Sequence, residues 1–202
     1  MKKIVLSLIA ASAAIVAGTS TASAQSSFDW VQGFSWGPKV GLNVSTMSNT
    51  DLGAKVSFNA GMFGQVRTAN WFALSLEVLY SRQGGNDKRT EAGVDIKNKI
   101  KTEYLNVPVL ANFYVTERLA LKTGVQVGFC LGARQVVKTG DITTKHGIAG
   151  DFHTADVSIP VGISYDLGRL VLDARYNFGV SKAMKDENTR NNVFQFSAGI
   201  RF

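Results

Sequence analysis

Apolar and polar residues alternate along most of this chain with a period of two. Segment 191–202 shows the pattern most plainly, because Phe194, Phe196 and Phe202 fall on one apolar set of positions while the positions between are polar or glycine. Successive side chains of a β-strand point to opposite faces, so this alternation predicts a strand with one apolar and one polar face.

Seven further segments alternate in the same way, which gives eight predicted strands in all. The connections between them are alternately long and short, as in outer-membrane barrels, which have short periplasmic turns and longer outer loops. The seven segments are 34–46, 55–68, 72–83, 104–114, 119–134, 156–166 and 170–181. The predicted loops are 47–54, 84–101, 135–151 and 183–190, and the predicted tight turns are 69–70, 116–118 and 167–169.

Eleven charged residues of the predicted strands fall on the polar face. A Lys or Arg facing lipid at the bilayer centre costs about 2–4 kcal/mol, so this one-sided distribution favours an apolar face turned to lipid. A soluble β-sandwich or lipocalin-like barrel is the alternative, but it would tolerate occasional slips. We predict an all-β, eight-stranded antiparallel up-and-down transmembrane β-barrel over residues 34–202. The charged positions are Lys39, Lys55, Arg67, Glu77, Lys122, Arg134, Asp156, Asp166, Asp173, Arg175 and Arg201.

The positions of glycine and proline add detail to the predicted barrel. Most strand glycines share the polar face, with Gly64 as an exception, and small residues there leave room for long side chains in a narrow lumen. Pro38, Pro108 and Pro160 each remove a ladder donor, and a closed barrel has no edge to accommodate them. We therefore expect a bulge or a strand end at each proline.

The N-terminus has the pattern of a cleavable signal peptide over residues 1–24. Lys2 and Lys3 precede an apolar run, and Ala22-Ser23-Ala24 is a small-residue cleavage site. A retained membrane anchor is the alternative. Residues 25–33 are expected to be a short periplasmic leader. The signal and the barrel together predict the outer membrane of a Gram-negative bacterium, with both mature termini in the periplasm.

Composition and charge limit the classes of partner and site that we expect. The 202-residue chain carries a net charge of +7, but it has no basic stripe interleaved with aromatics, so we expect no nucleic acid. Basic loops facing anionic lipid are the better interpretation. The single Cys130 excludes an intramolecular disulfide. His146 and His153 are too few for a metal site. No catalytic, cofactor or metal site is predicted.

Three motifs have counterparts in one known family. They are Lys39-Val40-Gly41-Leu42-Asn43 in the first strand, Tyr104-Leu105-Asn106-Val107-Pro108 with the pattern Y-L-x-x-P, and the glycine-rich segment 124–133. In these motifs the chain resembles the PorT-type outer-membrane β-barrel domain family. The resemblance covers nearly the whole mature chain. It implies an outer-membrane barrel. The protein that gives the family its name takes part in protein secretion, and a related role for this chain is an expectation that rests on no single residue.

Eight charged residues are expected to share the narrow lumen. They could form a proton or ion path, but we favour a structural salt-bridge network, because eight strands leave little open channel. The residues are Lys39, Arg67, Glu77, Lys122, Asp156, Asp173, Arg175 and Arg201.

The predicted function is that of a non-enzymatic outer-membrane barrel with a structural, interaction or assembly role. A narrow pore for small solutes is one alternative, and a lipid-modifying hydrolase using His153 is another. Expected partners are outer-membrane lipid and lipopolysaccharide, a protein at loops 84–101 and 135–151, and the barrel-assembly machinery. Phe194, Phe196 and Phe202 are predicted to form the insertion signal that this machinery reads.

Overall fold

A computed structural model gives the structure of residues 33–47, 53–91, 94–139, 142–148, 150, 153–181 and 190–202. The predicted signal peptide, most of the predicted leader, and most of loops 47–54 and 183–190 lie outside the described residues. The strands are β1 (Gly33–Met47), β2 (Lys55–Ala69), β3 (Phe72–Glu91), β4 (Val94–Tyr114), β5 (Leu119–Thr139), β6 (Ile142–Gly147), β7 (Ala155–Leu167), β8 (Leu170–Gly179) and β9 (Asn191–Ile200).

Eight of these strands close into an antiparallel barrel. Each pairs with its neighbours in the chain, β1 pairs with β9, and β5 pairs with both β4 and β7. The predicted fold class is therefore confirmed. The ninth strand, β6, pairs with the far part of β5. None of the described residues forms a helix long and apolar enough to cross a membrane.

Two segments predicted as long loops are β-hairpins, so that prediction is wrong. Segment 84–101 continues β3 and β4, which stay paired out to Glu91 and Val94. Segment 135–151 contains the end of β5 and the added strand β6. Strand pairing can continue beyond the lipid without an apolar face, so polarity did not reveal it. We call this end of the barrel the hairpin end, and the other, with the short turns and Phe202, the turn end.

A β-bulge changes the facing of β5 near the hairpin end. Tyr104 pairs with Cys130, but Glu103 pairs with Gly132, which leaves Leu131 as an extra residue. One extra residue exchanges the two faces of a strand. Arg134 is therefore exposed and pairs with exposed Lys101, so its predicted place in the lumen is wrong.

The distribution of polarity is the reverse of that in a soluble protein. Apolar side chains such as Val40, Val125 and Phe196 are more than half exposed around the wall, whereas Asn43 and Asn112 are fully buried inside. The core of this molecule is its polar lumen, and its apolar exterior is a surface for lipid.

The prolines lie inside continuous strands, and the predicted bulge or strand end at each is wrong. At Pro160 the β5–β7 ladder skips two positions between Val161 and Ser158 without a change of register. The β3–β4 ladder has the same gap at Pro108. The β1–β9 ladder stops beside Pro38. The missing donor thus leaves a local gap in one ladder instead of an extra residue.

Candidate functional site: the charged lumen

Five charged side chains from four strands meet at the middle of the lumen. Glu77 accepts from Lys39 at 2.7 Å and from Arg175 at 2.8 Å. Asp173 lies 2.5 Å from Lys122 and 3.3 Å from Lys39, and Lys122 is 4.0 Å from Glu77. All five are nearly fully buried. We call these five residues the lumen cluster.

A lumen glycine makes room for the lumen cluster. Gly162 on β7 pairs with Lys122 on one side and Arg175 on the other. A Cβ at Gly162 would lie 2.4 Å from the Ala174 carbonyl oxygen and 2.5 Å from Arg175 Cβ. The neighbouring strand's backbone therefore occupies the space that any other side chain would need.

The lumen cluster carries three positive and two negative groups, a formal net charge of +1. Arg175 also donates to Gln195 Oε1 at 3.2 Å, so its guanidinium is held by both a carboxylate and an amide. Buried charges are tolerated when they are paired and hydrogen-bonded, and removing one partner leaves an uncompensated charge. The arrangement can therefore hold the wall together and obstruct passage.

Two predicted network residues lie apart from this cluster, at the turn end. Arg201 pairs with Asp166 at 2.9 Å, and the Tyr114 hydroxyl donates to the same carboxylate at 3.3 Å. Arg67 stacks over the Tyr114 ring, 4.0 Å from its centroid. Asp166, which the sequence predicts on the polar face but not in the network, completes this group.

Asp156 also lies apart, near the hairpin end, where the Tyr104 hydroxyl is hydrogen-bonded to it. It has no ion-pair partner among the residues the structure describes. Its neighbour Cys130 is half-buried and packs against Ile100 and Ala133.

Uncharged amides fill the lumen between these groups. Asn59 donates to Asn43 Oδ1 at 2.7 Å, Asn43 donates to Ser81 Oγ at 2.8 Å, and Gln195 donates to Asn59 Oδ1 at 3.3 Å. Sequence reasoning considered only charges and missed this layer. Asn and Gln at the polar positions of the strands were the available signal.

Side chains of β1 and β2 are hydrogen-bonded to the base of the β3–β4 hairpin, at the hairpin end of the lumen. Lys55 donates to the carbonyls of Gln83 at 2.7 Å and Ile100 at 3.2 Å, and Ser45 donates to the Gly84 carbonyl at 2.8 Å. Gly84 has a φ of +128°, a backbone conformation that strongly favours glycine. This end of the lumen is therefore narrowed by main chain as well as by side chains.

The closing strand places its phenylalanines at two levels of the wall. Phe194 and Phe196 are adjacent on the exterior, with ring centroids 4.6 Å apart. Phe202 lies at the turn end, where its N–H donates to the Trp36 carbonyl at 2.8 Å and its ring is 5.6 Å from Trp36. Phe202 thus extends the β1–β9 seam past Pro38.

The histidines stand outside the lumen groups. His146 lies in β6 opposite Gln135, and His153 precedes β7, while Asp151, the carboxylate nearest to His153 in the sequence, lies outside the described residues. Within the described ranges no three His, Cys, Asp or Glu side chains are grouped as a metal site would require.

Comparison with known proteins gives one family and several structures. The model of the family described as "Outer membrane protein beta-barrel domain" matches residues 23–185. Neisserial surface protein A is similar with a TM-score of 0.51 at 16% identity, over 85% of this chain and 99% of that one. The attachment invasion locus protein Ail of Yersinia pestis, crystallised with the heparin analogue sucrose octasulfate, gives 0.50 at 14%, over 84% and 99%. No curated protein matches. At these identities the structural likeness concerns the fold alone.

Proposed function

Because the chain belongs to the outer membrane protein beta-barrel domain family, we propose that it is a non-enzymatic integral barrel with a closed lumen, acting through its hairpin end. The lumen cluster is the observation that carries this proposal. Its charges are directed at one another across the barrel, which supports a structural, interaction or assembly role over transport.

The dimensions of the lumen support closure. A cavity lined by Gln83, Asn106 and Asn177, among others, measures about 10 Å³, barely enough for one water molecule. A hydrated ion would have to break several buried ion pairs or amide hydrogen bonds to pass. A narrow pore would need the lumen cluster to open, and a hydrolase would need a nucleophile activated by a nearby base.

The hairpin end offers a basic surface for a partner. Its outward side carries exposed Arg82, Lys99, Lys101, Arg134 and Lys138. Phosphates of lipopolysaccharide are anions that such a surface would attract, and it lies just beyond the apolar wall. A protein partner bound to the two hairpins fits the same surface.

The orientation and the narrower family are part of the proposal. We place the turn end and both mature termini in the periplasm and the hairpins outside, following the usual asymmetry of such barrels. Motifs such as Tyr104-Leu105 with Pro108 support a PorT-type barrel with a role related to secretion. Phe202 would be read by the barrel-assembly machinery during insertion.

Single-channel recording in planar bilayers tests the closed lumen. We expect the folded protein to give no steady conductance. An Arg175→Ala variant, which removes the largest buried side chain, serves as an opened reference and is expected to conduct. Steady conductance of the unmodified protein would overturn the proposal and favour the pore.

A further inference from the structure

Four buried side-chain oxygens belong to residues that line one cavity between the lumen cluster and the hairpin end. They are Oδ2 of Asp156, Oε1 of Gln126, Oδ1 of Asn177 and Oδ1 of Asn191. None has a hydrogen-bond donor among the described residues. Gln126 and Asn177 are more than nine-tenths buried, so bulk water does not compensate them. We call this space the oxygen cavity.

The nitrogens of the three amides already have hydrogen-bond acceptors. Gln126 Nε2 donates to Ser158 Oγ at 3.2 Å, and Asn177 Nδ2 donates to Gln195 Oε1 at 3.5 Å. Asn191 Nδ2 donates to the side-chain oxygen of Gln83. Rotating any of these amides would lose a hydrogen bond and, for Asn177 and Asn191, would bring two acceptors together. The unpartnered atoms are therefore oxygens.

Asp156 gives the cavity a negative charge. The lumen carboxylates Glu77, Asp166 and Asp173 each have a Lys or Arg within ion-pair distance, but Asp156 has none among the described residues. The position that a Cβ on Gly128 would take lies 2.6 Å from Asp156 Oδ1 and 2.9 Å from Asn106 Oδ1, and both of these residues also line the cavity. Asp156 is only partly buried, but its Oδ2 is shielded from water, and a shielded carboxylate oxygen is costly without a compensating charge.

We propose that the oxygen cavity binds one small, dehydrated hard cation, Na⁺ or Ca²⁺. Asp156 would be the charged ligand, and Gln126, Asn177 and Asn191 would supply neutral amide oxygens. Hard cations of this kind take carboxylate and amide oxygens, whereas Zn²⁺ and Cu²⁺ prefer nitrogen or sulfur. Mg²⁺ usually keeps several waters, for which a cavity of about 10 Å³ has no room.

A single water molecule is the simpler occupant, and donor counting argues against it. Water donates two hydrogens, so it would satisfy two of the four oxygens and leave the others facing its lone pairs. A cation attracts all four oxygens at once. It would also connect four successive neighbours in the wall, because the ligands come from β5, β7, β8 and β9. This inference does not depend on whether the lumen conducts.

Cation-dependent stability of the folded protein in neutral detergent provides the test. After chelation and exchange into choline chloride, thermal unfolding is followed while CaCl₂ or NaCl is added, and calorimetry counts the bound ions. We expect a saturable rise in the unfolding midpoint with one of these salts and one ion per chain, at up to millimolar concentration. A response to Ca²⁺ alone or to Na⁺ alone identifies the ion, and either supports the site.

Matched variants separate ligation from general stability. Asp156→Asn keeps the shape of the side chain and should weaken binding at least tenfold. Gln126→Leu, which removes a neutral ligand, should weaken it several-fold and serves if the first variant does not fold. Asp166→Asn, a lumen carboxylate at the turn end, should keep the ion-dependent shift. The site is refuted if neither salt stabilises the unmodified protein, or if the Asp166 control loses binding as fully as the Asp156 variant.

Discussion

Replacing Glu77 by glutamine would unbalance the lumen cluster while hardly changing its shape. The two carboxylate oxygens lie 2.7 Å from Lys39 Nζ and 2.8 Å from Arg175 Nη1. The cluster has three positive and two negative groups, so the change raises its formal charge from +1 to +2. No bulk water reaches these groups, because Glu77 and Arg175 are each 1% exposed.

The expected loss of stability is large. Removing one partner of a buried ion pair costs about 3–5 kcal/mol, because the remaining charge is left uncompensated. With a urea m-value of about 1–3 kcal/mol/M, the unfolding midpoint in lipid vesicles should fall by roughly 1–5 M. Adding Arg175→Gln restores the charge of +1, so the double variant should lose about 1–3 kcal/mol less than the sum of the single variants.

An exposed pair supplies the control. Glu103 lies 3.4 Å from Arg82 at the surface of the hairpin end, and both side chains are substantially exposed. Glu103→Gln should cost less than about 1 kcal/mol. If Glu77→Gln costs no more than this control, or if the Glu77 and Arg175 effects simply add, the lumen cluster does not act as a coupled structural unit.

Two further substitutions test other parts of the wall. Gly162→Ala should lower the free energy of unfolding by about 1–3 kcal/mol in the same urea titration, because the new Cβ would lie 2.4 Å from a backbone oxygen. Gly132→Ala should be nearly neutral, because nothing lies within 4 Å of its new Cβ. Equal effects would contradict the close approach of the strands at Gly162. Deleting Phe202 should slow membrane insertion in pulse-chase fractionation without slowing export, and Phe202→Tyr should insert at a near-normal rate as the control. Insertion of the deletion variant at the normal rate would show that the β1–β9 seam at Trp36 does not need Phe202.

The barrel wall could be predicted from the sequence because lipid imposes a strict rule on every strand that crosses it. Val40, Val125 and Phe196 sit on the predicted apolar positions and are exposed on the exterior. The opposite positions, such as Asn43 and Glu77, are buried in the lumen. Eight strands in one consistent phase then leave a closed barrel as the simplest way to satisfy both faces.

The structure beyond the lipid could not be predicted, because that rule stops there. Segments 84–101 and 135–151 consist mostly of polar, charged and glycine residues, so their strands looked like loops. The extra residue at Leu131 moved Arg134 from the lumen to the surface, and nothing in the local alternation signals an insertion of one residue.

Which charges pair in the lumen depends on the stagger of the strands. The stagger cannot be derived from the alternation of polar and apolar residues. Arg175 meets Glu77 across 98 residues of sequence. All eight predicted residues belong to the barrel wall, yet they divide into the lumen cluster, a turn-end group around Asp166, and isolated Asp156. The oxygen cavity was missed because three of its four oxygens come from amides, which are common on any polar face.

The strands differ greatly in length around the barrel. β3, β4 and β5 have 20, 21 and 21 residues, whereas β8 and β9 have 10 each. At about 3.3 Å per residue, the long strands run some 33 Å farther than the short ones. In the part of the chain that the structure describes, the strands at the hairpin end therefore extend farther on the side of β3, β4 and β5 than on the side of β8 and β9. A molecule that diffuses in the membrane plane would meet longer strands on the β3–β5 side than on the β8–β9 side. The protein is therefore asymmetric within the membrane plane as well as across the membrane.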